Sequence, residues 1–165
     1  EVRGGAGFSA VELAVALVII GAIMGIAISA WSVFRVSRQY AATRNRLVAA
    51  KNCLEVYASH SRKVPPASYF DARCRAPDAW GHDLVYEVTA AMEGLRVDCS
   101  APNLAGRVLR LDDGDHNATL LVAASYGANG VRDYTANATT VNFRGTDDLP
   151  AYVTIHEIYQ ICCGY

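Results

Sequence analysis

A single carboxylate stands in a long apolar run. Glu12 is the only charge between Phe8 and Trp31, where the sequence reads FSAVELAVALVIIGAIMGIAISAW. An ionised acid costs about 2.5–3.5 kcal/mol at the centre of a bilayer on insertion scales. An acid kept there reads as functional, and its simplest chemistry is to meet a positive partner. The other reactive side chains are dispersed. His60, His82, His116 and His156 form no i, i+4 metal pair, and His82-Asp83 and His156-Glu157 are only neighbours. G-x-S-x-G, H-E-x-x-H and a phosphate-cradling glycine loop are absent, so no enzyme is expected.

Five cysteines, Cys53, Cys74, Cys99, Cys162 and Cys163, all follow the apolar run. None forms C-x-x-C and no histidine stands at finger spacing, which argues against structural zinc. Their placement suits a domain exported to an oxidising compartment. The first pairing expected is Cys74–Cys99, with Cys53 tied to Cys162 or Cys163 and one thiol left free or paired between chains. Fifteen basic and sixteen acidic residues give a net charge of −1. Bulk charge therefore gives no reason to expect a nucleic-acid partner.

The elements that must position Glu12 follow from the pattern. A helix over residues 8–31 reaches about 36 Å, enough for a hydrocarbon core of about 30 Å, and a single segment in lipid satisfies its backbone only as a helix. Arg35 and Arg38 mark its far boundary. The run exceeds the apolar stretch of an ordinary signal peptide and no A-x-A-like site follows it. Gly21 and Gly25 form a small-xxx-small pair. Beyond Ser32 the pattern turns amphipathic, with Val33, Val36, Tyr40, Leu47, Ala50, Leu54 and Tyr57 on one stripe, until Pro65-Pro66 ends the helix. Then come DLVYEVTA, LRVDC, RVLRL, TLLVAAS, TTVNF and AYVTIHEIYQI, short runs rich in β-branched and aromatic residues separated by turn signals. The expected class is α+β: a long N-terminal α-helix, hydrophobic in its first half, packed on a small antiparallel β-sheet domain. The expected divisions are a leader at 1–7, an apolar helix half at 8–31, an amphipathic half at 32–62 and a β-rich head at 63–165.

Gly7-Phe8-Ser9-Ala10-Val11-Glu12 resembles the processing site of type IV prepilins and type II secretion pseudopilins. The resemblance implies cleavage between Gly7 and Phe8 by a prepilin peptidase, methylation of Phe8, and a pilin fold. Glu12 becomes the fifth mature residue, paired with the new Phe8 amine of a neighbouring subunit. The partners implied are further copies of the chain in a helical filament, the peptidase, an inner-membrane platform protein and an assembly ATPase. The precursor would reside in the inner membrane, and the product would be a surface pilus or a periplasmic pseudopilus. A membrane-anchored domain that never polymerises is the third reading.

Two head segments extend the resemblance. Pro77-Asp78-Ala79-Trp80-Gly81-His82-Asp83-Leu84-Val85-Tyr86 is similar to the D-P-W-G-x-P-Y-x-Y segment of major pseudopilins, which implies a strand following it and Trp80 packed on the helix. Ser125-Tyr126-Gly127-Ala128-Asn129-Gly130 resembles their S-x-G-A-D-G turn, with Asn129 in place of its aspartate. That likeness implies calcium on Asn129, Asp147 and Asp148. Two adjacent carboxylates are a thin cage for an ion wanting 6–8 oxygens, so solvated loop acids are the competing expectation. Asp113, Asp115 and Asn117 imitate the start of an EF-hand, but Ala118 and Ala124 break the match. Asn117 and Asn137 open glycosylation sequons, Asn117 with Asp115 two residues before it.

Overall fold

The computed structural model describes residues 9–100, 103–104, 110–111, 119–136, 140–143 and 146–164. Gly7, Phe8, Asn117 and Asn137 lie outside the described residues. The chain forms two compact units that meet between Arg38 and Gln39, and helix α1, Ala10–Ser61, supplies residues to both.

In the first unit every large apolar side chain of α1 from Val11 to Ile28 is solvent-exposed, and none of the most apolar window is buried. Val33 and Val36, placed on the stripe by the sequence pattern, are exposed as well. The run closes on a collar. The Trp31 and Phe34 rings lie 6.4 Å apart, and the Arg38 guanidinium sits 4.3 Å from the Phe34 ring centroid. Aromatic and basic side chains of this kind suit the polar boundary of an apolar phase.

In the second unit the same helix becomes a core element. Thr43, Leu47, Ala50, Leu54 and Ala58 recur at spacings of three and four and are buried. Leu47, Ala50, Leu54 and Ala58 pack in one cluster with Val64, Phe70, Leu84, Met92, Leu104, Leu121, Val153 and Ile158. After α1 the chain turns through Pro65-Pro66 into α2, Ala67–Tyr69, and a π-helical turn, Phe70–Cys74. Proline has no N–H to continue the helical ladder, and Arg62, at φ 53°, already leaves it.

Six strands follow: β1 Val85–Val88, β2 Arg110–Leu111, β3 Thr119–Ser125, β4 Thr135–Ala136, β5 Thr140–Asn142 and β6 Leu149–Thr154. One sheet has the order β1-β3-β6 and is antiparallel throughout, with Val85 opposite Ala124 and Val122 opposite Tyr152. Central strand β3 is buried along its whole length. Leu121 and Ala123 join the helix-side cluster, whereas Val122 and Ala124 pack with Tyr134 and Val141. A strand covered on both faces reads as an unbroken apolar run, which is why TLLVAAS does not alternate. The second sheet, β2-β5-β4, pairs β2 with β5 in parallel. Uniformly antiparallel pairing was expected there; the long connection through β3 and β4 lets β5 return in the direction of β2.

Two sequence expectations are corrected. AYVTIHEIYQI is not one strand. It splits at Thr154, and α3, Ile155–Cys163, follows. The Thr154 hydroxyl accepts from Glu157 N at 3.2 Å, and the Glu157 carboxylate accepts from Thr154 N at 2.7 Å, so a capping box outweighs the β preference of the residues. LRVDC also forms no strand; it contributes an isolated bridge between Lys63 and Arg96. The disulfides follow from these turns. Cys53 bonds Cys74, carried back to α1 by the chain reversal, and Cys99 bonds Cys163, so the Cys74–Cys99 pairing does not form. On a helix, successive side chains point about 100° apart. Cys162 therefore faces the core, its Sγ 3.4 Å from Ala58 O, while Cys163 reaches Cys99; Cys162 is the free thiol, and burial raises its pKa.

Candidate functional site

Glu12 sits at the third position of α1. Its Oε2 accepts from Ser9 N at 2.9 Å, and Ser9 Oγ accepts from Glu12 N at 3.2 Å. Ser9 and Glu12 thus form a reciprocal capping box, the S-x-x-E signature that the sequence reading passed over. Two of the donors left over at a helix start are satisfied within the chain. The carboxylate is solvent-exposed, and among the described residues no cation faces it. The acid is thus fixed in direction at the start of an apolar helix, its charge unmatched among the described residues.

The head holds the second cluster of sequence-predicted residues. Asp78, 2 % exposed, organises the Trp80-Gly81 turn: its Oδ1 accepts from Trp80 N and His82 N, each at 2.9 Å, and its Oδ2 accepts from Ser125 Oγ at 2.6 Å. Ala79 N donates to Thr43 Oγ1 on α1 at 3.1 Å, and the half-buried Trp80 ring meets Tyr40 edge-on at 5.0 Å. Trp80 therefore packs on the helix, as the segment implied, and β1 follows it. His82 Nδ1 is buried 3.6 Å from Asp78 Oδ2, too far for a hydrogen bond, and has no other partner. Asp78, His82 and Ser125 have the composition of a catalytic trio, but Ser125 is fully buried and donates to the acid, so these groups fasten the turn to β3. The importance of Asp78 was not legible beforehand, because its partner Ser125 is 47 residues away.

The loop after β3 closes against Asp147. A side chain at Gly127, φ 65°, would place its Cβ 2.6 Å from Asp147 O, so only glycine fits there. The Asp147 Oδ2 atom accepts from Ala128 N at 3.1 Å. Asn129 donates through Nδ2 to Asp133 Oδ2 at 2.6 Å and to Asp147 Oδ1 at 3.1 Å, while its Oδ1 accepts from Val131 N at 2.7 Å. Asp148 goes elsewhere. Its Oδ2 accepts from Tyr134 N at 2.7 Å and Asp133 N at 2.9 Å, and its Oδ1 is buried without a partner. Burial pushes the Asp148 carboxyl up; the two N–H donors offset part of that, and the nearby Asp133 and Asp147 charges add to it.

Calcium, implied by the resemblance on Asn129, Asp147 and Asp148, does not fit these residues as arranged. The oxygens it would draw on are already receiving hydrogens from the Asn129 amide and from backbone N–H groups. The one unpartnered oxygen, on Asp148, is far short of 6–8 ligands. Among the described residues no three His, Cys, Asp or Glu side chains converge on a point.

Compared with known proteins, the chain matches no protein-family model, no curated protein and no solved structure.

Proposed function

We propose that this chain is a structural subunit of a type IV pilus-like filament, released for assembly by cleavage between Gly7 and Phe8 and held together by bundling of the first half of α1. The observation that carries the proposal is the pairing of an apolar helix half, bare along its length, with one oriented carboxylate at its start that meets no cation among the described residues. Cleavage would create an α-amino cation at Phe8, with a usual pKa of about 7.7–8.0. In a dry bundle an amine and a carboxylate buried together cost far less than either alone, because each offsets the other's loss of water. A neighbouring copy's Phe8 amine is therefore the partner assigned to Glu12. Once lipid is left behind, helix-to-helix burial contributes cohesion at roughly 25 cal/mol per Å² of apolar surface.

The precursor waits in the inner membrane, anchored by the same helix, and the head, held by two disulfides, forms the filament's exterior. A pseudopilin of type II secretion is the second reading. It is favoured by the Asp78–Ser125 fastening, which brings together the two head segments that resemble that group. The test is mass spectrometry of filaments sheared from cells carrying the intact gene. The expected result is a mature subunit beginning with methylated Phe8; a subunit retaining residues 1–7 in assembled fibres would overturn the proposal. Recovery of the same peptide only from the periplasm would select the pseudopilus.

A further inference from the structure

One amide, that of Asn129 in the loop between β3 and β4, is shared by two carboxylates, Asp133 and Asp147. Asp133 and Asp147 approach from different segments, fourteen residues apart by number, and like charges brought together repel. What lies between their Oδ2 and Oδ1 atoms is the Asn129 Nδ2 group, at 2.6 and 3.1 Å. The orientation of that amide is not arbitrary. Asn129 Oδ1 is taken by the Val131 N–H at 2.7 Å, which leaves the nitrogen, with its two hydrogens, facing the acids. Gly130, at φ 67°, allows the tight turn that aims it, and the same glycine is held close to His82, where a Cβ would come within 2.5 Å of the ring. The bridge is therefore built from one residue whose side-chain nitrogen and oxygen are both used.

We propose that the Asn129 amide replaces a bound cation here, drawing Asp133 and Asp147 together so that the turn after β3 packs against Asp147 without metal. The amide supplies two directed donors where a divalent ion would supply charge. A carboxylate at position 129 would reverse the arrangement: both hydrogens would be lost, a third negative charge would be added, and closure would require a cation. The inference holds for either filament reading, because it concerns the head alone.

The experiment compares the full-length wild-type chain with Asn129→Asp in detergent, following thermal unfolding by near-ultraviolet circular dichroism, to which Tyr126 and Tyr134 contribute from the loop. Each is measured in EDTA and in millimolar calcium. The wild type is expected to melt at the same temperature in both, within about 1 °C. Asn129→Asp is expected to melt roughly 4 °C or more lower in EDTA and to regain most of that loss with calcium. If Asn129→Asp is not folded in EDTA, protein purified in calcium and then chelated is used, and loss of the signal on chelation is the expected outcome. A wild type stabilised by calcium would overturn the proposal. So would an Asn129→Asp chain that melts like wild type in EDTA, or one whose loss calcium does not repair.

Discussion

Glu12 and Glu157 occupy the same local position in two helices and have opposite surroundings. Each is third in its helix, each accepts from the backbone N–H of its cap residue, and each cap hydroxyl, on Ser9 or Thr154, accepts in return. Around Glu157 the structure completes the arrangement: Lys51 Nζ on α1 stands 2.7 Å from its Oε1. Burial alone would raise the Glu157 pKa, but Lys51 and the Thr154 donors outweigh it and hold the carboxyl below its usual range. Around Glu12 no such cation exists among the described residues. A capping box thus explains why an acid is tolerated at a helix start, but not why a charge is kept at the head of an apolar run. The contrast separates a glutamate matched within the chain from the one for which we propose a partner on a neighbouring copy.

Ways to break that contrast rank by size. Glu12→Gln should leave membrane insertion intact and lower the yield of sheared filaments at least tenfold, a 1.4 kcal/mol effect per subunit contact being enough for that factor; Glu157→Gln should leave the yield near wild type. Immunoblots of membrane and sheared fractions read both. Normal filament yield from Glu12→Gln would erase the distinction. Next comes the helix itself. Leu54→Ala, in the buried part of α1, should cost the head about 2–5 kcal/mol in denaturant melts, whereas Leu17→Ala in the exposed half should leave the melt of the detergent-solubilised monomer unchanged.

Smaller effects test the second capping box. Thr154→Ala should destabilise the head by about 1 kcal/mol, since it removes the hydroxyl that satisfies Glu157 N. The equivalent Ser9→Ala should not move the head's melting temperature at all. The smallest effect is pH-dependent. Because the Glu157 carboxyl is held low in the fold, its contribution is complete above its unfolded-state value, about 4.3, and is lost as pH falls through the lower folded value. The stability difference between wild type and Glu157→Gln, about 1 kcal/mol or less for a pair this exposed, should therefore shrink as pH is lowered from about 5 to about 3. A difference that grew toward acid would show that Lys51 and Thr154 do not hold the carboxylate charged.

Much of the molecule was legible in advance. The helix, its end shortly before Pro65-Pro66, the core positions Leu47, Ala50 and Leu54, and strands β1, β3 and β5 follow from periodicity and turn chemistry, which are local. The failures came from local signals outweighed by other local signals, or from distance. The β preference of residues 151–161 suggests a strand, although Thr154-Ile155-His156-Glu157 spells a helix start as clearly as Ser9-Ala10-Val11-Glu12 does. That same helix carries Cys163, which bonds Cys99. The Asp78–Ser125 and Asn129–Asp147 contacts join segments far apart in sequence, and no spacing rule reaches across such loops.

The most direct measurement of the central claim is a filament structure that resolves the start of α1. The expected result is the Glu12 carboxylate within about 4 Å of the Phe8 amine of a neighbouring copy, the reach of an ion pair. A Glu12 carboxylate facing water or lipid, with no amine beside it, would contradict the claim.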